Sequence, residues 1–218
     1  MKNDLNFILL ICLTFLACRS EPNHSSKSAH QSVNASDTLI TFENSQVGKL
    51  PVGWSDESSH WYIEADGSGK AFKMAKNSGD AFNIAVLQGF FLKDVEVTTR
   101  IKAISGEEDQ GGGIVWRYQD SDNYYIARAN PLENNIRIYK VVNGRRNELE
   151  TANVTMETGQ WFSIKITMKG ENIECFHNGK LVYKLSDKTF TNAGLVGFWS
   201  KADAVSIFDD LIIKVIKY

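Results

Sequence analysis

The sequence is poor in the residues that staple, break or charge a chain. Only three of its 218 residues are cysteine, at positions 12, 18 and 175. Cys12 lies inside an apolar leader and Cys18 at its end, so one thiol remains for the folded part and no internal disulfide can form. The fold must stand on its core. Cys175, in the alternating stretch Ile173-Glu174-Cys175-Phe176-His177, reads as an inert buried thiol rather than a nucleophile or ligand. Excess charge of one sign is also missing: 24 Lys and Arg face 26 Asp and Glu, which excludes the basic footprint of a nucleic-acid binder and a polybasic membrane patch. No Walker loop, HExxH, CxxC pair or GxSxG occurs, so phosphate-loop, zinc-protease and serine-hydrolase chemistry have no support. Proline is scarce, with three residues against 16 glycines, and the abundance of Val, Ile, Thr and aromatics makes a strand-and-turn composition rather than a helical one.

The leader MKNDLNFILLICLTFLACRS has one early Lys and an apolar run from Phe7 to Ala17. That run is too short to cross a bilayer, which takes roughly 20 residues, and reads as a signal-peptide core. Its end, Phe15-Leu16-Ala17-Cys18, resembles a bacterial lipobox with Phe where Leu is usual. Residues 1–18 are therefore expected to be a signal segment, with Cys18 lipidated and the protein exported and anchored in the bacterial cell envelope. A plain secretory cut is the alternative. Residues 19–37 are polar and free of aromatics, and read as a flexible tether in which His24 and His30 are solvated rather than metal ligands.

Residues 38–218 carry short strand patterns separated by turn residues, the spacing of an all-β sandwich or barrel. From Asp94 to Ile104, Val95, Val97, Thr99, Ile101 and Ala103 alternate with Glu96, Thr98, Arg100 and Lys102, so one face is buried and one wet. Asn143-Gly144 and Asn178-Gly179 supply the positive φ angles of two-residue hairpins. The long last stretch, Asp203 to Lys217, is expected to pair early strands and close the sandwich.

The stretch Gln110 to Val142 concentrates Trp116, Arg117, Tyr124, Tyr125, Arg128, Asn130, Arg137 and Tyr139 in three consecutive strands. A buried guanidinium or phenol without a partner costs about 1–3 kcal/mol, so this density points to a site; a sheet with one wet face is the alternative. If Tyr118 faces Tyr124 across the Asp120–Asn123 turn, Trp116, Ile126 and Arg128 share one face, and Arg117 and Tyr125 the other. Gly111-Gly112-Gly113 lacks the helix and lysine of a phosphate cradle and marks a bulge or close backbone approach. Glycoside hydrolysis needs two facing carboxyl groups. The acidic clusters Glu107-Glu108-Asp109 and Asp120 with Asp122 read as turns, and Asp209-Asp210 as structural. No metal site is expected, although Asp120, Asp122 and Asn123 could suit calcium.

Three blocks, GGGIVWRYQDSDNYYIARANPLENNIRIYKVVNGRRNEL, CFHNGKLVYKL and GLVGFWSKADAVSIFDDLII, resemble bacterial concanavalin A-like jelly-roll domains of the 3-keto-disaccharide hydrolase type. The resemblance covers roughly residues 38 to 218. It implies a two-sheet concanavalin A-like jelly-roll sandwich whose concave face handles carbohydrate. Enzyme-like members are expected to carry an acidic strand after the glycine tract, where this chain has Trp116-Arg117 and an aromatic pair, so no acid transfers as catalytic. The expected function is a lectin-like carbohydrate-binding module of the envelope. Its ligand side chains are taken from Trp116, Arg117, Tyr124, Tyr125, Arg128, Asn130, Trp199, Lys201 and Asp203. The alternatives are a hydrolase or lyase acting on (3-keto-)disaccharides and a domain that binds another protein. A glycan is the expected partner, with lipid contact through the N-terminus only and no nucleic acid.

Overall fold

The computed structural model describes residues 37–217, apart from 57, 76–78 and 80. The leader, Cys18 and most of the tether lie outside the described residues. Fifteen strands follow in order: β1 (Thr38–Ile40), β2 (Trp54–Asp56), β3 (Trp61–Asp66), β4 (Gly69–Met74), β5 (Phe82–Leu92), β6 (Val95–Ser105), β7 (Gly112–Asp120), β8 (Asn123–Asn130), β9 (Asn135–Val142), β10 (Arg145–Asn153), β11 (Trp161–Lys169), β12 (Asn172–His177), β13 (Lys180–Ser186), β14 (Gly194–Lys201) and β15 (Val205–Val215). No helix occurs among the described residues, as the composition predicts.

The strands form two antiparallel sheets. One runs β13-β12-β11-β6-β15-β4-β3, with β1 also on β15; the other runs β10-β9-β8-β7-β14-β5-β2. β15 pairs β1, β4 and β6, so the end of the domain is laced to its beginning, as its length suggested. Period-2 alternation builds the interior: Val95, Val97, Thr99, Ile101 and Ala103 of β6 and Phe162, Ile164, Ile166 and Met168 of β11 are all buried. Opposite them stand Ile114 and Trp116 of β7, Ala127 of β8, Ile136 and Ile138 of β9, and Phe198 of β14. One end is aromatic: Trp54 stacks on Phe198 at 5.0 Å and Phe198 on Phe208 at 4.5 Å, contacts worth about 0.5–1.5 kcal/mol each beyond their burial.

Asn143 and Asn178 adopt φ 49° and 47°, each followed by a glycine of positive φ, which is the hairpin geometry expected. Asp210 is also left-handed, at the bulge where pairing slips between Asp209 and Ile212. There Arg100 holds both acids, at 3.1 Å from Asp209 and 2.8 Å from Asp210, a structural role. Gly112 packs under Ile101 and Phe208, and a Cβ on Gly113 would strike the Ala127 carbonyl, so the glycine tract marks close approach. The outward face of the β3-to-β13 sheet carries ion pairs, Lys73–Glu64, Lys102–Asp66, Lys165–Glu96 and Lys184–Glu174 among them.

Candidate ligand groove

The aromatic stretch is divided by a bulge. Arg117 is left-handed, with φ 46°, and the pairing of β7 with β8 slips between Trp116 and Asp120. Before the slip Trp116 lies opposite Tyr125, and the rings stack at 5.3 Å on the inner face. Beyond it Tyr118 meets Tyr124 on the outer face, with centroids 5.5 Å apart. Tyr118 thus faces Tyr124 as expected, but Trp116 does not share a face with Arg128. The extra residue of the bulge moves Trp116 to the interior with Tyr125.

Three of the expected ligand residues therefore serve the interior. Trp116 donates its indole N–H to the Met168 sulfur at 3.0 Å. The Tyr125 hydroxyl donates to Asp187 at 2.6 Å and accepts the Phe190 N–H at 3.2 Å, and burial pushes its pKa up. Burial pushes Asp187 up as well, but bonds from Lys140, Tyr125 and Thr189 outweigh it and hold the carboxyl at about 2. Arg117 is 1% exposed and donates to the carbonyls of Lys93 at 2.9 Å, Phe190 and Gly170 at 2.7 Å, with Asp94 at 3.3 Å. It clamps three connections at one end of the sandwich, and its donors are not offered to a ligand.

At the opposite end Arg128 is buried between two acids, Asp109 at 2.8 Å and Glu133 at 2.6 Å. The Asn130 amide donates to both, at 3.3 and 3.2 Å. Glu133 also meets Arg137 at 3.0 Å and Asn135 at 3.0 Å, and the Arg128 hydrogen bond is the main reason its carboxyl falls to about 2. Lys201 stands 4.0 Å from Asp109. Asp203 accepts the backbone N–H groups of Glu107, Glu108 and Asp109, which lowers its pKa and fixes that loop. Arg128, Asn130, Lys201 and Asp203 form a charged end wall.

Tyr124 and Trp199 belong to the outer face of the β10-to-β2 sheet. There a second apolar cluster gathers Val86, Val115, Tyr118, Tyr124, Ile126, Tyr139, Val141 and Trp199, with Phe82, Ile84 and Leu195 against it. Arg146 of β10 spans this face: its guanidinium carbon lies 4.7 Å from the Tyr139 ring, 5.9 Å from Trp199 and 5.4 Å from Phe82 of β5. Five strand intervals separate β10 from β5. On a flat sheet they would stand about 24 Å apart at about 4.8 Å each, so contact between the two side chains requires the sheet to curl into a trough. Arg146 and Phe82 roof it, which is why Tyr124 and Trp199 are fully buried. The Trp199 N–H lies near the Tyr124 oxygen and favours its phenolate slightly, but burial dominates and pushes that pKa up. Their approach falls outside hydrogen-bond geometry, and both polar atoms are buried without a partner.

Beside the roof the trough opens into a cavity of about 290 Å³, lined by Ser55, Phe82, Ile84, Val86, Gln88 and Tyr118 with Ser58, Ser121 and Leu195. This lies at the small end of ligand-binding pockets. Among the described residues no carboxylate lines it. Among the described residues no group of three or more His, Cys, Asp or Glu is placed to hold a metal ion. Asp120 accepts the Asp122 N–H at 2.9 Å and the Asn123 amide at 2.8 Å, as a turn residue does. The expected ligand residues did not include Tyr118, Phe82, Gln88 or Arg146. Arg146 was legible only as the second residue after the Asn-Gly turn, which puts it opposite Val141 on the outer face.

Two packed antiparallel sheets with an aromatic trough on the outer face of one define a concanavalin A-like jelly roll. Within that class, the chain belongs to the family of 3-keto-alpha-glucoside-1,2-lyase-like domains, whose match spans residues 42–214. Among solved structures it is similar to the carbohydrate-binding module CBM66 from Bacillus subtilis, with 17% identity over 74% of this chain and 95% of that one, at a TM-score of 0.63. A protein of unknown function with a galectin-like fold from Bacillus subtilis matches at 11% identity, 74% and 88% coverage and TM-score 0.56. The GH43 protein BlXynB from Bacillus licheniformis matches at 16% identity and TM-score 0.60 over 82% of this chain, which spans only 39% of that one. No curated protein matches the chain. At these identities the likeness is one of fold.

Proposed function

We propose that the domain is a carbohydrate-binding module whose ligand lies in the trough of the β10-to-β2 sheet. The observation that carries this reading is the contrast between the two outer faces. One sheet turns salt bridges to solvent. The other turns Tyr118, Phe82, Ile84 and Val86 into a cavity edged by Ser55, Ser58, Ser121 and Gln88. Aromatic faces stack on the C–H surface of a sugar, and a few hydroxyl and amide groups orient its hydroxyls. Family membership and a neighbour described as a carbohydrate-binding module support the reading.

Binding is favoured over cleavage because cleavage of a glycoside by hydrolysis takes two facing carboxyl groups. The buried Asp109 and its neighbour Glu133 are both held by Arg128. Lyase or hydrolase action on (3-keto-)disaccharides is the alternative that the family description suggests. We further propose export and anchoring through lipid on Cys18, tested by detergent partition of wild type and Cys18→Ala. A glycan array with the purified chain, run with and without calcium, tests the ligand class. Glycan binding that Tyr118→Ala abolishes while the domain, although less stable, remains folded is expected. Absence of any glycan binding, or binding indifferent to Tyr118, would overturn the reading.

A further inference from the structure

Arg146 is the cation of the trough that no acid neutralises. Arg128 is held by Asp109 and Glu133, and Arg137 by Glu133 at 3.0 Å and Glu148 at 3.6 Å. Arg146 makes no ion pair among the described residues. Glu148, two residues along β10 on the same face, is turned to Arg137. Asp122, the acid that acts with Arg146 on Tyr124, is exposed in the turn between β7 and β8. The Arg146 guanidinium instead lies over Tyr139, Trp199 and Phe82, and its Nη1 is buried without a hydrogen-bond partner. Phe82 joins this roof to the cavity that it lines. A guanidinium carries paired N–H donors that match the two oxygens of a carboxylate, and Arg146 spends none of them on an acid among the described residues. Inside a partly desolvated trough such a pair counts for more than at an open surface.

The geometry points to Arg146 as the residue that sets ligand class: the trough takes sugars bearing a carboxylate, the uronic acids, in preference to neutral ones. The inference rests on the trough being a glycan site. It goes beyond that reading by naming the charge of the ligand and the side chain that selects it. A neutral sugar can accept from Nη1 but leaves the guanidinium charge uncompensated, whereas a uronate satisfies both. Among the described residues no carboxylate lines the cavity to repel it.

The test is calorimetric titration of the purified chain with oligogalacturonate, oligoglucuronate and oligomannuronate, each paired with its carboxyl-reduced neutral counterpart, at low and high salt. At least one uronate should bind ten-fold or more tighter than its neutral twin, with a margin that shrinks as salt rises. Arg146→Gln should abolish that margin, bringing the charged and neutral twins to equal affinity. Arg146→Lys, which keeps the charge and loses the fork, should reduce it several-fold and serves as the deciding variant if the glutamine form does not fold. Equal binding of charged and neutral twins by wild type, or an undiminished margin in either variant, overturns the uronate assignment and leaves the glycan site standing. If no oligosaccharide of either kind binds, the glycan reading and this inference fall together.

Discussion

Replacing Tyr124 with phenylalanine should move stability and binding in opposite directions. The hydroxyl is fully buried and has no hydrogen-bond partner. A buried group in that state costs about 1–3 kcal/mol, and Tyr124→Phe removes it while keeping the ring against Tyr118 at 5.5 Å. The free domain should therefore hold its stability or gain about 1 kcal/mol, which in a chain of this size raises the melting temperature by about 2–4 °C. If a ligand that displaces the Arg146–Phe82 roof meets the same hydroxyl, a net hydrogen bond of about 0.5–1.5 kcal/mol corresponds to about 2- to 12-fold in affinity. Thermal unfolding followed by circular dichroism gives the first quantity and calorimetric titration with a bound glycan the second. A melting temperature lowered by several degrees would mean that the hydroxyl has a structural partner. Unchanged affinity would mean that it meets no ligand.

Arg117→Ala should cost about 3–5 kcal/mol, measured by denaturant titration, because it removes the cation beside Asp94 and the donor to three loop carbonyls at one end of the sandwich. Gly113→Ala should destabilise by about 1–3 kcal/mol or block folding, since the new Cβ meets the rigid Ala127 carbonyl. Glu133 is depressed from 4.5 to about 2 in the folded state, so its contribution is complete above about pH 4.5 and is lost as pH falls toward 2. Glu133→Gln should therefore flatten the acid limb of the stability profile; an unaltered limb would show that its contacts are screened by solvent. Cys175, buried and pushed up to about 12, should react with thiol reagents only at the rate of unfolding.

Local pattern carried the architecture. The alternation of β6 and the two Asn-Gly turns depend on nearest neighbours, and both stand in the structure as the sequence implied. The site residues were harder to place because their faces depend on one bulge. Nothing in Trp116-Arg117-Tyr118 announces a non-glycine residue at φ 46°. That conformation is held by partners on three distant connections, at Lys93, Gly170 and Phe190. The same holds for Arg128, whose acids come from the loop before β7 and the turn after β8. An aromatic-rich strand pair therefore showed that something polar needed partners, but not whether protein or ligand would supply them. The trough itself arises from sheet curl, which brings Arg146 to Phe82 across five strand intervals, a contact no local pattern encodes.

The most direct test of the account is a crystal structure of the purified chain with a glycan chosen from the array. A sugar ring against Tyr118 and Phe82, with its polar groups reaching Gln88, Tyr124 or Arg146, is the predicted result. Ordered sugar bound elsewhere, on the ion-paired face of the other sheet or in the recess between Lys140 and Asp187, would contradict it.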